Sequence, residues 1–129
     1  MTVYKSIATY LKGKETLLGC TYYPLQAPQN QSSPYCVFSV EDDRPEPTHD
    51  GGFQHGQVVV QFDFYATRLE TLDNAVSAFK EHFVGQSIDL SETVTQAYAV
   101  TDNEFDGFTE PTNLYIRSID LNIKYIKNN

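Results

Sequence analysis

Few residues in this chain have the types and spacing to do chemistry: three histidines, two cysteines and two runs of carboxylates. His49 and His55 bracket the segment HDGGFQH, and with Asp50 they could offer a metal two imidazoles and a carboxylate. A structural zinc site takes four ligands, and no cysteine pair lies nearby, so three donors fall short. DNEFDG (102–107) opens like the calcium loop D-x-[DN]-x-[DN]-G. Its twelfth position is Asn113, where a bidentate glutamate should close the coordination shell. His82 falls near the end of an expected helix, where the helix dipole favours a cation. Neither Cys20 nor Cys36 has an adjacent Lys, Arg or His to hold a thiolate. The N-terminal run MTVYKSIATYLKGK lacks the long apolar stretch of a secretory leader, so both thiols are expected to be reduced. Nucleophile-elbow, P-loop and dinucleotide-binding motifs are missing as well. The expectation is a protein that is not an enzyme, with no catalytic residues, no metal and no cofactor.

Charge narrows the field further. Nine Lys and Arg stand against 17 Asp and Glu, a formal net charge of −8, which disfavours gripping phosphate backbones. The whole imbalance sits in two stretches, EDDRPEPTHD (41–50) and DNEFDGFTE (102–110), each net −4. Pro45, Pro47, Gly51 and Gly52 punctuate the first, and Gly107 and Pro111 the second, so both read as loops. Loops at about 42–56 and 102–112 are expected to be mobile, because a fifteen-residue connection is long for a compact domain. Asp42, Asp43 and His49, with the aromatics Phe53, Phe105 and Phe108, would make them contact surfaces. Hydrophobic residues at 40% and charged residues at 20% suit a folded chain, and 129 residues suit one domain. No apolar run approaches the ~20 residues a transmembrane helix requires, so no membrane partner is expected.

The elements that must position these residues follow from periodicity. Val3, Ile7 and Leu11 make one stripe of a helix over 3–12. Leu17 and Leu18 should pack beneath the next turn. Leu69, Leu72, Val76, Phe79 and Phe83 step by 3 and 4, predicting a helix over 68–84, with Thr67 and Glu70 as a capping box and Gly85 just past its end. TYYPL (21–25), 35–41, 57–66, 93–101 and 114–126 read as extended. In 57–66, Val58, Val60, Phe62, Phe64 and Ala66 share one face, leaving Val59 and Tyr65 on the other. In 114–126 the alternation changes phase, which suggests a bulge or twist near Arg117–Ser118. The expected class is α+β: a mainly antiparallel sheet of four to five strands with two helices packed on one face. The half-apolar second face, with Val59 and Tyr65, and Arg117 at the phase change, join the expected interface.

The run YYPLQAPQNQSSPYCVFS (22–39) resembles a signature of a phage tail completion, or tail terminator, family, with Tyr23-Pro24, Ala27-Pro28-Gln29 and Pro34-Tyr35 in order. The resemblance continues through HDGG (49–52), VQFDFYA (60–66) and YIRSIDLNIKY (115–125). It implies a structural virion protein, a single tail-terminator-like domain over 1–129. Six copies would form a ring capping the head-proximal end of the tail tube, touching tube protein below and the stopper or connector of the neck above. DNA would pass through the lumen without specific binding. The site would be the virion tail and neck, after synthesis in the bacterial host cytoplasm. Six copies of −8 sum to a formal −48, and acidic loops facing the lumen would repel phosphates. Another neck ring, a head-completion or stopper protein, fits the same pattern. From a different class, so does an acidic inhibitor or immunity-type protein.

Overall fold

The computed structural model describes residues 3–25, 34–47, 53–85, 87–90, 94–109 and 114–128. Helix α1 (Val3–Gly13) forms where the stripe predicts it, with Ile7 and Leu11 fully buried. A four-residue helix, α2 (Glu15–Leu18), follows and ends on Gly19 at φ 65°. That left-handed position closes a helix without the strain a Cβ would bring. Leu18 is buried, but Leu17 points to solvent, contrary to the expectation that both tuck inward.

Strand β1 (Thr21–Pro24) leads to β2 (Tyr35–Pro47) and β3 (Phe53–Ala66). Helix α3 (Leu69–Phe83) precedes β4 (Ser87–Ile88), β5 (Val94–Thr109) and β6 (Leu114–Asn128). All six strands join one sheet in the order β1-β2-β3-β6-β5-β4. The β1–β2 pair is parallel and the others antiparallel, so the sheet is mixed. The expected four to five strands become six and the two helices three, because α2 and β4 are too short to leave a periodic signal.

The two acidic segments differ most from expectation. Residues 42–47 and 53–56 are paired strand out to Pro47 opposite Gln54, and 102–109 lie in β5 out to Thr109 opposite Leu114. Backbone N–H and C=O groups pair whatever their side chains carry, so a ladder already started by an apolar core extends into charged sequence. The bulges also move. The β2–β3 register steps between Val40 and Asp42, and the β5–β6 register between Thr101 and Asn103. Across from β3, β6 runs unbroken from Tyr115 to Asn128. No bulge occurs at Arg117–Ser118; Arg117 simply occupies a helix-facing position as an ion-paired residue. The capping box is likewise replaced. Arg68, extended at φ −131° and ψ 140°, is the N-cap, and its carbonyl accepts from Leu72 N at 3.1 Å. Gly85 does follow the helix in a left-handed conformation (φ 77°), and its N–H donates to Ala99 O at 2.8 Å, turning the chain into the sheet.

The core lies between the sheet and the helices. Val58, Val60, Phe62, Phe64 and Ala66 of β3 are buried, as the alternation requires. They sit opposite Ile123, Leu121, Ile119, Arg117 and Tyr115 of β6. Phe79 of α3 is the hub, with ring centroids 4.8 Å from Phe62, 5.1 Å from Phe64, 5.2 Å from Phe83 and 6.0 Å from Tyr22. Tyr22 is fully buried and its backbone N–H donates to Glu15 Oε2 at 2.7 Å, tying β1 to α2. Its phenol oxygen has no hydrogen-bond partner among the described residues. A buried unpaired hydroxyl costs about 1–3 kcal/mol. Tyr22→Phe should therefore raise the unfolding free energy by about 1 kcal/mol, read as a higher denaturant midpoint at unchanged slope; a lower midpoint would mean the hydroxyl has a partner.

Both cysteines are buried free thiols flanking Tyr22 in the fold, since Cys36 pairs opposite it. Burial, with the Glu15 carboxylate adding to it, pushes the Cys20 thiol up to about 12, and burial lifts Cys36 well above its ordinary range. A raised folded-state value means that the native state holds the proton more tightly than the unfolded chain. Its contribution is complete below the ordinary thiol value near 9 and fades as pH rises toward 12. The thiols' contribution to stability should stay constant across neutral pH and be lost between about pH 9 and 12. Dithionitrobenzoate should leave both thiols unmodified at pH 8 until denaturant is added; prompt reaction of the native protein would contradict this.

Candidate assembly interface

The helices cover one face of the sheet. On the uncovered face, β5 has an inverted pattern: small Ala97 and Ala99 point into the core, while Tyr98 and Val100 point out, 45% and 49% exposed. Beyond the register step, Phe105 joins the same outer face opposite Ser118, 53% exposed. Ile126 of neighbouring β6 adds 37% exposure. Scattered apolar side chains on a surface are ordinary, but four large ones on two adjacent strands form a patch that a partner would cover.

The rest of this face is more polar and more protected. Tyr35 and Tyr65 stack at 4.9 Å and 15°, and Tyr23 meets Tyr35 edge-on at 6.5 Å. Burial raises the Tyr35 and Tyr65 phenols above their ordinary values, with the Asp63 carboxylate adding to the rise at Tyr65. Between the tyrosines and the apolar patch, Asn122 Nδ2 donates to Gln57 Oε1 at 3.3 Å, and Gln61 Nε2 donates to Asp63 Oδ1 at 2.9 Å. The buried Oδ1 of Asn122 has no partner among the described residues.

The expected interface residues divide among several places. Val59 and Tyr65 lie on the outer face, half-buried. Phe105 is on that face, whereas Phe108 is on the helix side at the end of β5, exposed but touching the Tyr115 ring at 5.0 Å. Asp42 and Asp43 stand opposite Val59 and Val58 in β2, and Phe53 stands opposite Asn128; the side chains of these three lie outside the described residues, as does all of His49. Arg117 is largely covered and held within the chain: its guanidinium meets Asp73 of α3 at 2.8 Å and Asp106 of β5 at 2.7 Å. Donating hydrogen bonds to Asp106 foremost holds its charge more firmly than usual; burial opposes this, and a hydrogen bond to Asp73 adds a smaller hold. Glu104 pairs with Lys80 of α3. Two of the four acids in 102–110 are thus answered inside the fold, which reduces the charge that stretch shows to a partner.

Periodicity alone did not single out Tyr98, Val100 and Ile126. For Tyr98 and Val100 the signal lies in TQAYAVT (95–101), where they alternate with alanine in the phase opposite to a monomer's core. Among the described residues no group of His, Cys, Asp or Glu could hold a metal, and no helix is long and apolar enough to cross a membrane.

The architecture is α+β, one mixed six-stranded sheet with helices on one face. It is similar to that of a chain in the solved virion of a native gene transfer agent (GTA) particle, with a TM-score of 0.60 and 18% identity over 96% of this chain and 94% of that one. Comparison of the sequence with family models and with curated proteins gives no match.

Proposed function

We propose that this chain is a structural virion protein: a tail terminator that forms a six-membered ring, caps the head-proximal end of a phage tail tube and joins it to the neck. The observation that carries the reading is the end-to-end fold likeness to a chain of a virion particle, covering 96% of one and 94% of the other. The outer-face patch supports it, since a ring subunit must bury apolar surface against its neighbours. So does the ordered set of segments from Tyr23-Pro24 to the closing strand. The partners are then further copies of the chain, tail tube protein and the stopper or connector, with DNA passing through an acidic lumen that does not bind it. Another neck ring, a stopper, draws on the same fold likeness. The two differ in partner: a terminator binds isolated tail tube, a stopper binds the portal side. Deleting the gene should give overlong or headless tails, restored by supplying the gene in trans; normal tail lengths with heads attached would contradict the terminator reading.

The 42–56 segment, rich in acids and proline over 42–47, is mobile in the monomer on this reading and settles on assembly. Amide exchange in this segment should slow by about tenfold or more in the assembled particle. Equal rates in the two states would rule this out.

A further inference from the structure

We propose that copies of this chain join head to tail by seating Phe108 of one copy in a cleft between α2 and the end of α3 of the next. The proposal rests on the ring reading above and names its contact. The cleft measures about 240 Å³ and is lined by Tyr10, Lys14, Leu17, Leu18, His82 and Phe83. Its apolar wall is the Tyr10–Phe83 pair, 5.9 Å between ring centroids, and Leu17 stands exposed at the mouth. A cavity of about 150 Å³ admits a benzene ring, so a phenyl side chain fits here with room to spare. The rim carries one cation, the Lys14 ammonium 5.6 Å from the Tyr10 ring centroid, and the His82 imidazole also lines the cleft. Of the three lysines in residues 1–14, Lys12 is paired with Glu15 at 3.3 Å, so Lys14 is the cation that the cleft itself presents.

Phe108 complements that cleft in shape and charge. It is half exposed near the end of β5, within the 102–110 stretch of net −4. The Asp106 carboxylate two residues away stays 61% exposed even while it holds Arg117. An aromatic carried among carboxylates thus meets a cleft with an apolar wall and the Lys14 ammonium at its rim. The two cannot meet within one copy, because α3 stands between them. Lys80 faces β5 through Glu104, while His82, two residues on and so turned to the other side of the helix, faces the cleft. A knob on one flank and a socket on the other make a heterologous contact, the kind that closes into a ring.

Cross-linking tests the contact directly. The full chain carrying Leu17→Cys and Gly107→Cys, which leaves Phe108 in place and puts the second thiol where a Cβ meets nothing within 4 Å, is concentrated until oligomers form, then oxidised and run without reductant. The native thiols are buried and do not compete. The expected result is a ladder of cross-linked oligomers ending in a closed ring, while each single variant stays monomeric on the gel. Lys14→Glu should raise the concentration needed for half-assembly by about tenfold. Rings seen by native mass spectrometry that do not cross-link would overturn the seating of Phe108 and leave the ring reading standing. A chain that neither oligomerises nor cross-links would overturn both.

Discussion

Replacing Phe79 by alanine should lower the unfolding free energy by about 3–5 kcal/mol, the range for removing a large aromatic from a packed core. Phe79 is fully buried and its ring lies within 6.0 Å of four others, Phe62, Phe64, Phe83 and Tyr22. Those partners come from β3, β1 and α3 itself, so the cavity would open at the junction of the helix and the sheet. Rigid strands on one side and the helix backbone on the other limit collapse into the void. A domain of this size has about 5–15 kcal/mol of total stability, so the variant should unfold at far lower denaturant and in part accumulate unfolded at 37 °C. A change below about 1 kcal/mol would mean that the helix is not anchored through this ring.

The second large effect is on assembly rather than stability. Phe105→Glu should leave the denaturation midpoint within about 0.5 kcal/mol of the native chain, because the side chain is more than half exposed. It should nevertheless reduce incorporation into particles by about a hundredfold. On the proposed reading the outer patch of Tyr98, Val100, Phe105 and Ile126 is covered on assembly, and a carboxylate sealed into an apolar contact without a partner costs several kcal/mol. Each 1.4 kcal/mol is tenfold in affinity, so two such increments give the stated loss. Full incorporation of the variant would show that this face remains in solvent.

Much of the core was legible in the sequence. The 3–4 stepping of Leu72, Val76, Phe79 and Phe83, and the strict alternation of Val58 to Ala66, each mark one buried face, because burial imposes the period of the element on the residue types. The extension of β2, β3 and β5 through the acidic stretches left no such mark. There the ladder is held by backbone groups, and side chains such as Glu104 and Asp106 are placed by single cations on other elements, Lys80 and Arg117. Sequence spacing does not encode contacts of that kind. The parallel pairing of β1 with β2 was equally silent, since a four-residue strand carries too few positions to show a direction. Of the expected interface, Val59, Tyr65 and Phe105 share the outer face, while Arg117 and Phe108 lie toward the helices.

Cryo-electron microscopy of intact particles at the junction of capsid and tail tests the central claim most directly. The account predicts six copies of this chain in one ring between tube and connector, with the patch around Val100 and Phe105 in contact with a neighbouring protein. Particles whose junction is complete without this chain would contradict it.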